Sequence, residues 1–126
     1  MVHLYCCNGA MIMKVFAVDE YDFTDSILCD IKRGGDSADY LITVDLYLGK
    51  DKNKILPLRL KNVKRFNVNA NVNEGDVWSA YTLSHIEKRY VVGGAELICY
   101  SSLAFLHEHE NNTLLYCLCD EVYVEE

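Results

Sequence analysis

Hydrophobic and polar residues alternate with a period of two along much of the chain. In residues 40–48 the even positions are apolar or aromatic, while the odd positions include Thr43 and Asp45, and residues 55–60 repeat this parity. Such alternation is typical of a strand that buries one face and exposes the other. The polar run GKDKN at 49–53 separates the two segments, so together they predict an antiparallel hairpin.

The stretch YDFTDSILCDI at 21–31 predicts the start of another strand. Short oxygen side chains, such as those of Asp25 and Ser26, bind nearby backbone groups and favour turns over regular strands, so we expect the strand to begin at Ile27. With the parity of each strand, the predicted core comprises Ile27, Ile31, Ile42, Val44, Leu46, Leu56, Leu58, Leu60 and Phe66.

The rest of the chain continues in short apolar segments. We expect the strand pattern to bend at a bulge near Val63 and to continue through Val72, followed by a helical turn at 74–80. Gly93-Gly94 predicts a chain break, and residues 95–107 and 114–124 predict a final hairpin. The whole pattern predicts an all-β, mainly antiparallel fold, either a sandwich or a partly closed barrel of about seven strands with at most one short helix.

The composition is that of one globular domain spanning residues 1–126. Apolar residues make up 51% and charged residues 25%, which differs from the composition of disordered chains. The apolar N-terminus has no basic leader, and Lys14 interrupts it short of the ~20 residues that a membrane span needs. We therefore expect a cytoplasmic protein without membrane contact, whose six cysteines are reduced.

Charge is distributed unevenly along the sequence. Residues 50–65 contain seven Lys or Arg against one acid, whereas residues 90–126 contain seven acids and no Lys or Arg. With a net charge of −7, the chain is expected to repel nucleic acid and to attract basic proteins. The basic stretch could bind phosphates, but its charges alternate with Leu56, Leu58 and Leu60, as on the solvent face of a strand.

Candidate chemical groups occur in the sequence without the spacing that known sites use. Two pairs could chelate a metal from one strand face, His107 with His109 and Cys117 with Cys119, but zinc ribbons use C-x-x-C spacing. Ser26 could act as a nucleophile with one of four histidines, yet no nucleophile elbow or phosphate-binding glycine loop accompanies it. We expect no metal, no cofactor and no enzymatic activity.

Four segments together resemble small bacterial immunity proteins of polymorphic toxin and contact-dependent growth inhibition systems. They are FTDSILCDI at 23–31, YLITVDLYLG at 40–49, LPLRLKNVKRFNV at 56–68 and LLYCLCDEVYVEE at 114–126. The matching positions are Asp25, Ser26, Asn62, Val63, Phe66, Cys119, Asp120 and Val122, whereas Thr24 stands where the family usually has His. The resemblance implies a cytoplasmic toxin inhibitor that covers the active site of a cognate basic toxin domain, with a nuclease as the expected toxin.

The expected docking face is the acidic C-terminal hairpin, because opposite charge speeds capture of a basic partner. Its acids are expected to be exposed and its tyrosines to act as anchors, which gives the predicted partner-binding residues Glu108, Glu110, Tyr116, Asp120, Glu121, Tyr123 and Glu125. Two other classes stay open: a β-rich module that binds a small ligand among its tyrosines, and a structural or oligomerisation subunit. The oligomeric state is not predicted.

Overall fold

The computed structural model describes residues 4–7, 11–34, 38–47, 53–68, 82–101 and 113–125. Within these ranges, ten strands form two antiparallel sheets around a shared core, with one 3₁₀ turn at Val18–Glu20. The strands are β1 (Leu4–Cys7), β2 (Met11–Val15), β3 (Ile27–Gly34), β4 (Asp39–Tyr47), β5 (Asn53–Lys61), β6 (Arg65–Val68), β7 (Leu83–Val91), β8 (Gly94–Ser101), β9 (Thr113–Cys119) and β10 (Glu121–Glu125). The predicted all-β sandwich is confirmed, with more strands than the alternation suggested.

Two chain segments cross from one sheet to the other. The larger sheet has the order β1-β2-β10-β5-β4-β3, and the smaller sheet has the order β6-β9-β8-β7. The chain therefore changes sheet between β5 and β6, and again between β9 and β10. Because β10 pairs with β5 and β9 pairs with β6, the two segments run side by side through the crossing. The expectations of a bulge near Val63 and of a last hairpin strand that reaches Val124 are wrong, since each segment is split between the sheets. The predicted pairing of the final hairpin is confirmed between β8 and β9.

A polar cluster holds this crossing together. Asn62 has a φ of +53°, in the left-handed region that Asn tolerates better than most residues. Its side-chain amide donates to the Asp120 carboxylate at 3.0 Å, and Lys64 Nζ lies 3.1 Å from the same carboxylate. The backbone N–H of Asn62 donates to Asp39 at 2.9 Å, and Lys61 Nζ binds the other Asp39 oxygen at 2.6 Å. Both changes of sheet are thus fixed by the same group of side chains.

Both carboxylates of the cluster ionise more readily than ordinary aspartates. Hydrogen bonds from Asn62 and Lys64 hold the pKa of Asp120 below its ordinary value. Burial raises the pKa of Asp39, but the hydrogen bonds from Lys61 and from the Asn62 backbone outweigh it, so the pKa is lowered. The cluster therefore stabilises the fold in its charged form.

The core lies between the two sheets and follows the predicted parity in the central hairpin. Burying one large aliphatic side chain stabilises a fold by roughly 1.5–3 kcal/mol. The central hairpin β4–β5 contributes six fully buried side chains, which are Ile42, Val44, Leu46, Leu56, Leu58 and Leu60. The smaller sheet faces them with residues that include Leu97, Cys99, Leu115 and Cys117. The hairpin and the core positions predicted within it are confirmed.

The turn before β3 lies where it is predicted, but different side chains make some of its hydrogen bonds. Ser26 Oγ donates to Phe23 O at 2.6 Å. Asp22, rather than Asp25, accepts a backbone hydrogen bond, from Thr24 N–H at 3.0 Å. Asp25 supplies a φ of +63°, a left-handed conformation that reverses the chain. β3 begins directly after Ser26, as predicted.

The predicted parity of β3 is wrong because the strand contains a bulge. Its pairing with β4 shifts between Leu28 and Asp30, which leaves Cys29 as the extra residue. Leu28 is buried and Ile31 packs against the core, while Ile27 lies outside the core cluster. Phe66 is only partly buried at the core margin. The predicted helical turn at 74–80 lies outside the described residues.

Candidate functional site

An exposed apolar surface lies at the turn between β7 and β8. The chain reverses over Val92 and Gly93, and both Gly93 and Gly94 have positive φ values, 97° and 142°. The expected break at these glycines is confirmed as a tight turn. Three successive large residues just before them are exposed: Tyr90 (65%), Val91 (37%) and Val92 (102%). We call these three residues the tip surface.

A shallow cleft of about 440 Å³ adjoins the tip surface. Residues 15–19 form one wall of the cleft, and Lys88 and Tyr90 form the other. The 3₁₀ turn contacts β7 here, and at the opposite end of β7 the Asp25 N–H donates to Leu83 O at 3.1 Å. The segment between β2 and β3 therefore follows the edge strand β7 along its length.

Lys88 connects the cleft to both sheets. Lys88 follows the buried Ile86 by two residues, so both side chains lie on the core-facing side of β7. The Lys88 side chain is only 5% exposed. Three acceptors surround its ammonium: Phe16 O at 3.0 Å, the Tyr90 hydroxyl at 2.9 Å and the Glu121 carboxylate at 2.5 Å. An ammonium group has three N–H donors, so each acceptor takes one. Lys88 thus stabilises the contact between the sheets and has no proton left for a ligand.

The same contacts fix the orientation of Tyr90. Its hydroxyl donates to Glu121 Oε1 at 2.7 Å and accepts from Lys88, whose Nζ lies 4.7 Å from the centre of the ring. The ring itself remains 65% exposed. An aromatic side chain held in this way loses little conformational entropy when a partner covers it.

Negative charge flanks the tip surface. Residues 17–26, which we call the acidic segment, contain four acids and no Lys or Arg. All four acids are exposed, namely Asp19, Glu20, Asp22 and Asp25. Asp19 lines the cleft together with Tyr90, and the Lys14 ammonium just outside the segment lies 3.6 Å from Glu20. The acidic segment and the tip surface therefore meet at the cleft.

The predicted acids of β10 are bound within the fold. Glu121 binds Lys88, and Glu125 accepts a hydrogen bond from Arg59 Nε at 2.6 Å. Their side chains are only 18% and 14% exposed. The expectation that both are exposed is wrong, because β10 pairs with the basic strand β5 and lies close to Lys88. Asp120 is exposed, but it belongs to the polar cluster at the crossing.

The structure does not bring the two predicted tyrosine anchors together. Tyr116 lies on β9 in the smaller sheet, where its hydroxyl donates to Glu96, and this hydrogen bond raises the pKa of Tyr116. Tyr123 lies on β10 in the larger sheet, between β2 and β5. Glu108 and Glu110 lie outside the described residues. The C-terminal docking face therefore stays a prediction.

The candidate chemical groups serve structural roles where they are described. Cys117 and Cys119 are both fully buried, and their mutual hydrogen bond together with burial raises the pKa of the Cys117 thiol. The hydroxyl of Ser26 is buried and used within its own turn. His107 and His109 lie outside the described residues. In the part of the chain that the structure describes, no three side chains able to bind a metal converge.

No family model matches this chain, and neither a curated protein nor a solved structure does. Over the described ranges, no helix is long and apolar enough to span a bilayer. The exposed residues of the tip surface and the acids beside them form the surface from which we infer a function.

Two signals in the sequence point to these features, although neither figured in the predicted site. Tyr-Val-Val directly precedes Gly-Gly, and three consecutive large apolar residues beside a tight turn cannot all face the core of an alternating strand. The acidic segment is less conspicuous than residues 90–126, because that longer region contains more acids in total, seven against four.

Proposed function

We propose that this chain is an immunity protein that binds a cognate nuclease toxin in the cytoplasm and neutralises it by covering its active site. The observation that carries the proposal is the tip surface beside the acidic segment. Exposed apolar side chains with a charged rim are typical of protein interfaces, and an acidic rim complements a basic, phosphate-binding active site. Occlusion of that kind requires no chemistry from the inhibitor.

The resemblance to immunity proteins supports the proposal because many of the residues that carry it lie at bends that shape the fold. Several residues that carry the resemblance lie at bends of the chain: Asp25 and Ser26 before β3, Asn62 and Val63 between β5 and β6, and Asp120 between β9 and β10. The tip surface belongs to a different segment, the β7–β8 hairpin. A scaffold defined by these bends can therefore carry a partner-specific surface without altering the bends.

The cleft beside the tip surface gives less support to a small-ligand module. Its lysine, Lys88, is already surrounded by three acceptors from the chain itself. A ligand that needed this ammonium would have to displace Glu121 or Tyr90, which also hold the two sheets together.

Protection of a growing cell tests the proposal. The proposal predicts that the gene immediately upstream of this chain encodes the toxin domain. The product of that gene is expressed in a bacterial host, alone and together with this chain, and growth is recorded. The proposal predicts arrest by the toxin alone, recovery on co-expression, and loss of nuclease activity when the purified proteins are mixed in equal amounts. A catalytically inactive toxin variant serves as the control for expression burden. Persistent arrest despite folded, abundant protein would contradict the proposal.

A further inference from the structure

The geometry points to the tip surface and the acidic segment as one docking face for the basic surface of the toxin. This inference rests on the proposed function and adds the place of contact. Tyr90 and Val92 act as apolar anchors, and Asp19 with Glu20 supplies the complementary charge.

The anchors are available without any rearrangement of the fold. Val92 is fully exposed at the turn, at 102% of its reference area, so its side chain is free to be covered. Tyr90 presents an exposed ring whose hydroxyl is held by Lys88 and Glu121. The buried centre of an interface is depleted of charged residues, and Tyr is enriched among the residues that contribute most of its binding energy.

The charge available to a partner comes from the acidic segment rather than from the described C-terminal acids. Asp120, Glu121 and Glu125 are each paired with a cation of this chain, which cancels most of their field. The acidic segment contains four exposed acids and no internal cation. Glu20 lies 3.6 Å from the Lys14 ammonium, but no ion pair among the described residues involves Asp19, Asp22 or Asp25. The field of these three acids attracts a basic protein over several ångströms.

The charges on the two sides of the tip surface differ, and this difference sets the direction in which a bound partner extends. Lys64 Nζ donates to Gly93 O in the turn and also pairs with Asp120. Lys64 and Asp120 offset each other's charge on the side of the crossing, whereas Asp19 leaves negative charge beside the tip surface at the cleft. A basic partner anchored on Val92 is expected to extend toward Asp19 and away from Lys64.

Binding of a purified, catalytically inactive form of the upstream-encoded toxin domain tests this placement. Biolayer interferometry at two salt concentrations compares the wild-type chain with Val92→Ser and with the double variant Asp19→Lys/Glu20→Lys. The matched control is Asp30→Lys/Glu87→Lys, which reverses two partly exposed acids elsewhere. Each double variant changes the net charge from −7 to −3, since each reversal adds two charges. Thermal unfolding verifies that every variant is folded.

We expect Val92→Ser to weaken binding about tenfold, as the loss of an interface anchor does. The Asp19/Glu20 variant should slow association about tenfold and flatten its salt dependence, while the matched control stays within about twofold of wild type. If Val92→Ser and the Asp19/Glu20 variant both bind as tightly as the wild-type chain, the docking face is overturned and the proposed function is left intact. Failure of the wild-type chain to bind the toxin would overturn both. Self-association that Val92→Ser abolishes would identify a second copy as the occupant and would also overturn this inference.

Discussion

Replacing Lys88 with Met should lower the free energy of unfolding by about 3 kcal/mol, because removing one partner of a buried ion pair costs about 3–5 kcal/mol. The Lys88 and Glu121 side chains are 5% and 18% exposed, so solvent screens their interaction only weakly. After the replacement, Glu121 still accepts from the Tyr90 hydroxyl at 2.7 Å and from Val122 N–H at 2.9 Å. These remaining donors place the expected cost at the lower end of the range.

A double variant separates the lost ion pair from lost packing. Lys88→Met/Glu121→Met removes both charges, and replacing a whole buried ion pair with apolar residues is often neutral or stabilising. We therefore expect the double variant to be more stable than Lys88→Met alone. In urea unfolding followed by circular dichroism, a loss of about 3 kcal/mol corresponds to a midpoint shift of about 1.5 M at a slope of about 2 kcal/mol per M. A shift below about 0.5 M, or a double variant no more stable than the single one, would refute this reasoning.

Three further predictions concern the scaffold. Leu46→Ala should cost about 2–5 kcal/mol in urea unfolding because Leu46 is fully buried, and a cost below about 1 kcal/mol would contradict its place in the core. Gly94→Ala should lower the Tm more than Gly93→Ala, since only at position 94 would a Cβ lie 2.1 Å from a backbone oxygen; equal effects would contradict the close packing. In the folded state the pKa values of Asp39 and Asp120 lie below the ordinary value of 3.8, so in acid the unfolded state binds more protons than the folded state. The stability that these two carboxylates contribute should therefore be retained above pH 3.8 and lost as the pH falls through their pKa values in the folded state. Urea midpoints that do not change over this acid range would contradict that linkage.

The alternation of residue types predicted the central hairpin because both of its strands bury one face without interruption. Residues Ile42 to Leu46 keep strict parity, and the antiparallel pairing of β4 and β5 has no register shift. In β3 the bulge at Cys29 adds one residue, and no Gly or Pro in this strand marks it before Gly34. One inserted residue reverses the parity between the two sides of the bulge, so a single parity that fits Ile31 after the bulge assigns Ile27 before it to the wrong face.

The charge pattern misled for a different reason. Arg59 and Glu125 are 66 positions apart, and nothing local indicates that they are partners. The pairing of β10 with β5 brings basic residues of the 50–65 stretch next to acidic residues near the end of the sequence. A sequence count treats such charges as available to a binding partner, whereas the fold uses them internally. The acidic segment retains most of its charge, because Lys14 pairs with Glu20 while Asp19, Asp22 and Asp25 form no ion pair among the described residues.

Hydrogen–deuterium exchange of this chain with and without the inactive toxin domain shows which residues the toxin covers. We expect the toxin to slow exchange in peptides covering residues 17–26 and the β7–β8 turn, while the β3–β4 pairing exchanges at an unchanged rate. Protection confined to residues 102–126 would contradict the docking face and would favour the C-terminal hairpin. No protection anywhere, with the toxin in excess, would contradict the claim that this chain neutralises a toxin by binding it.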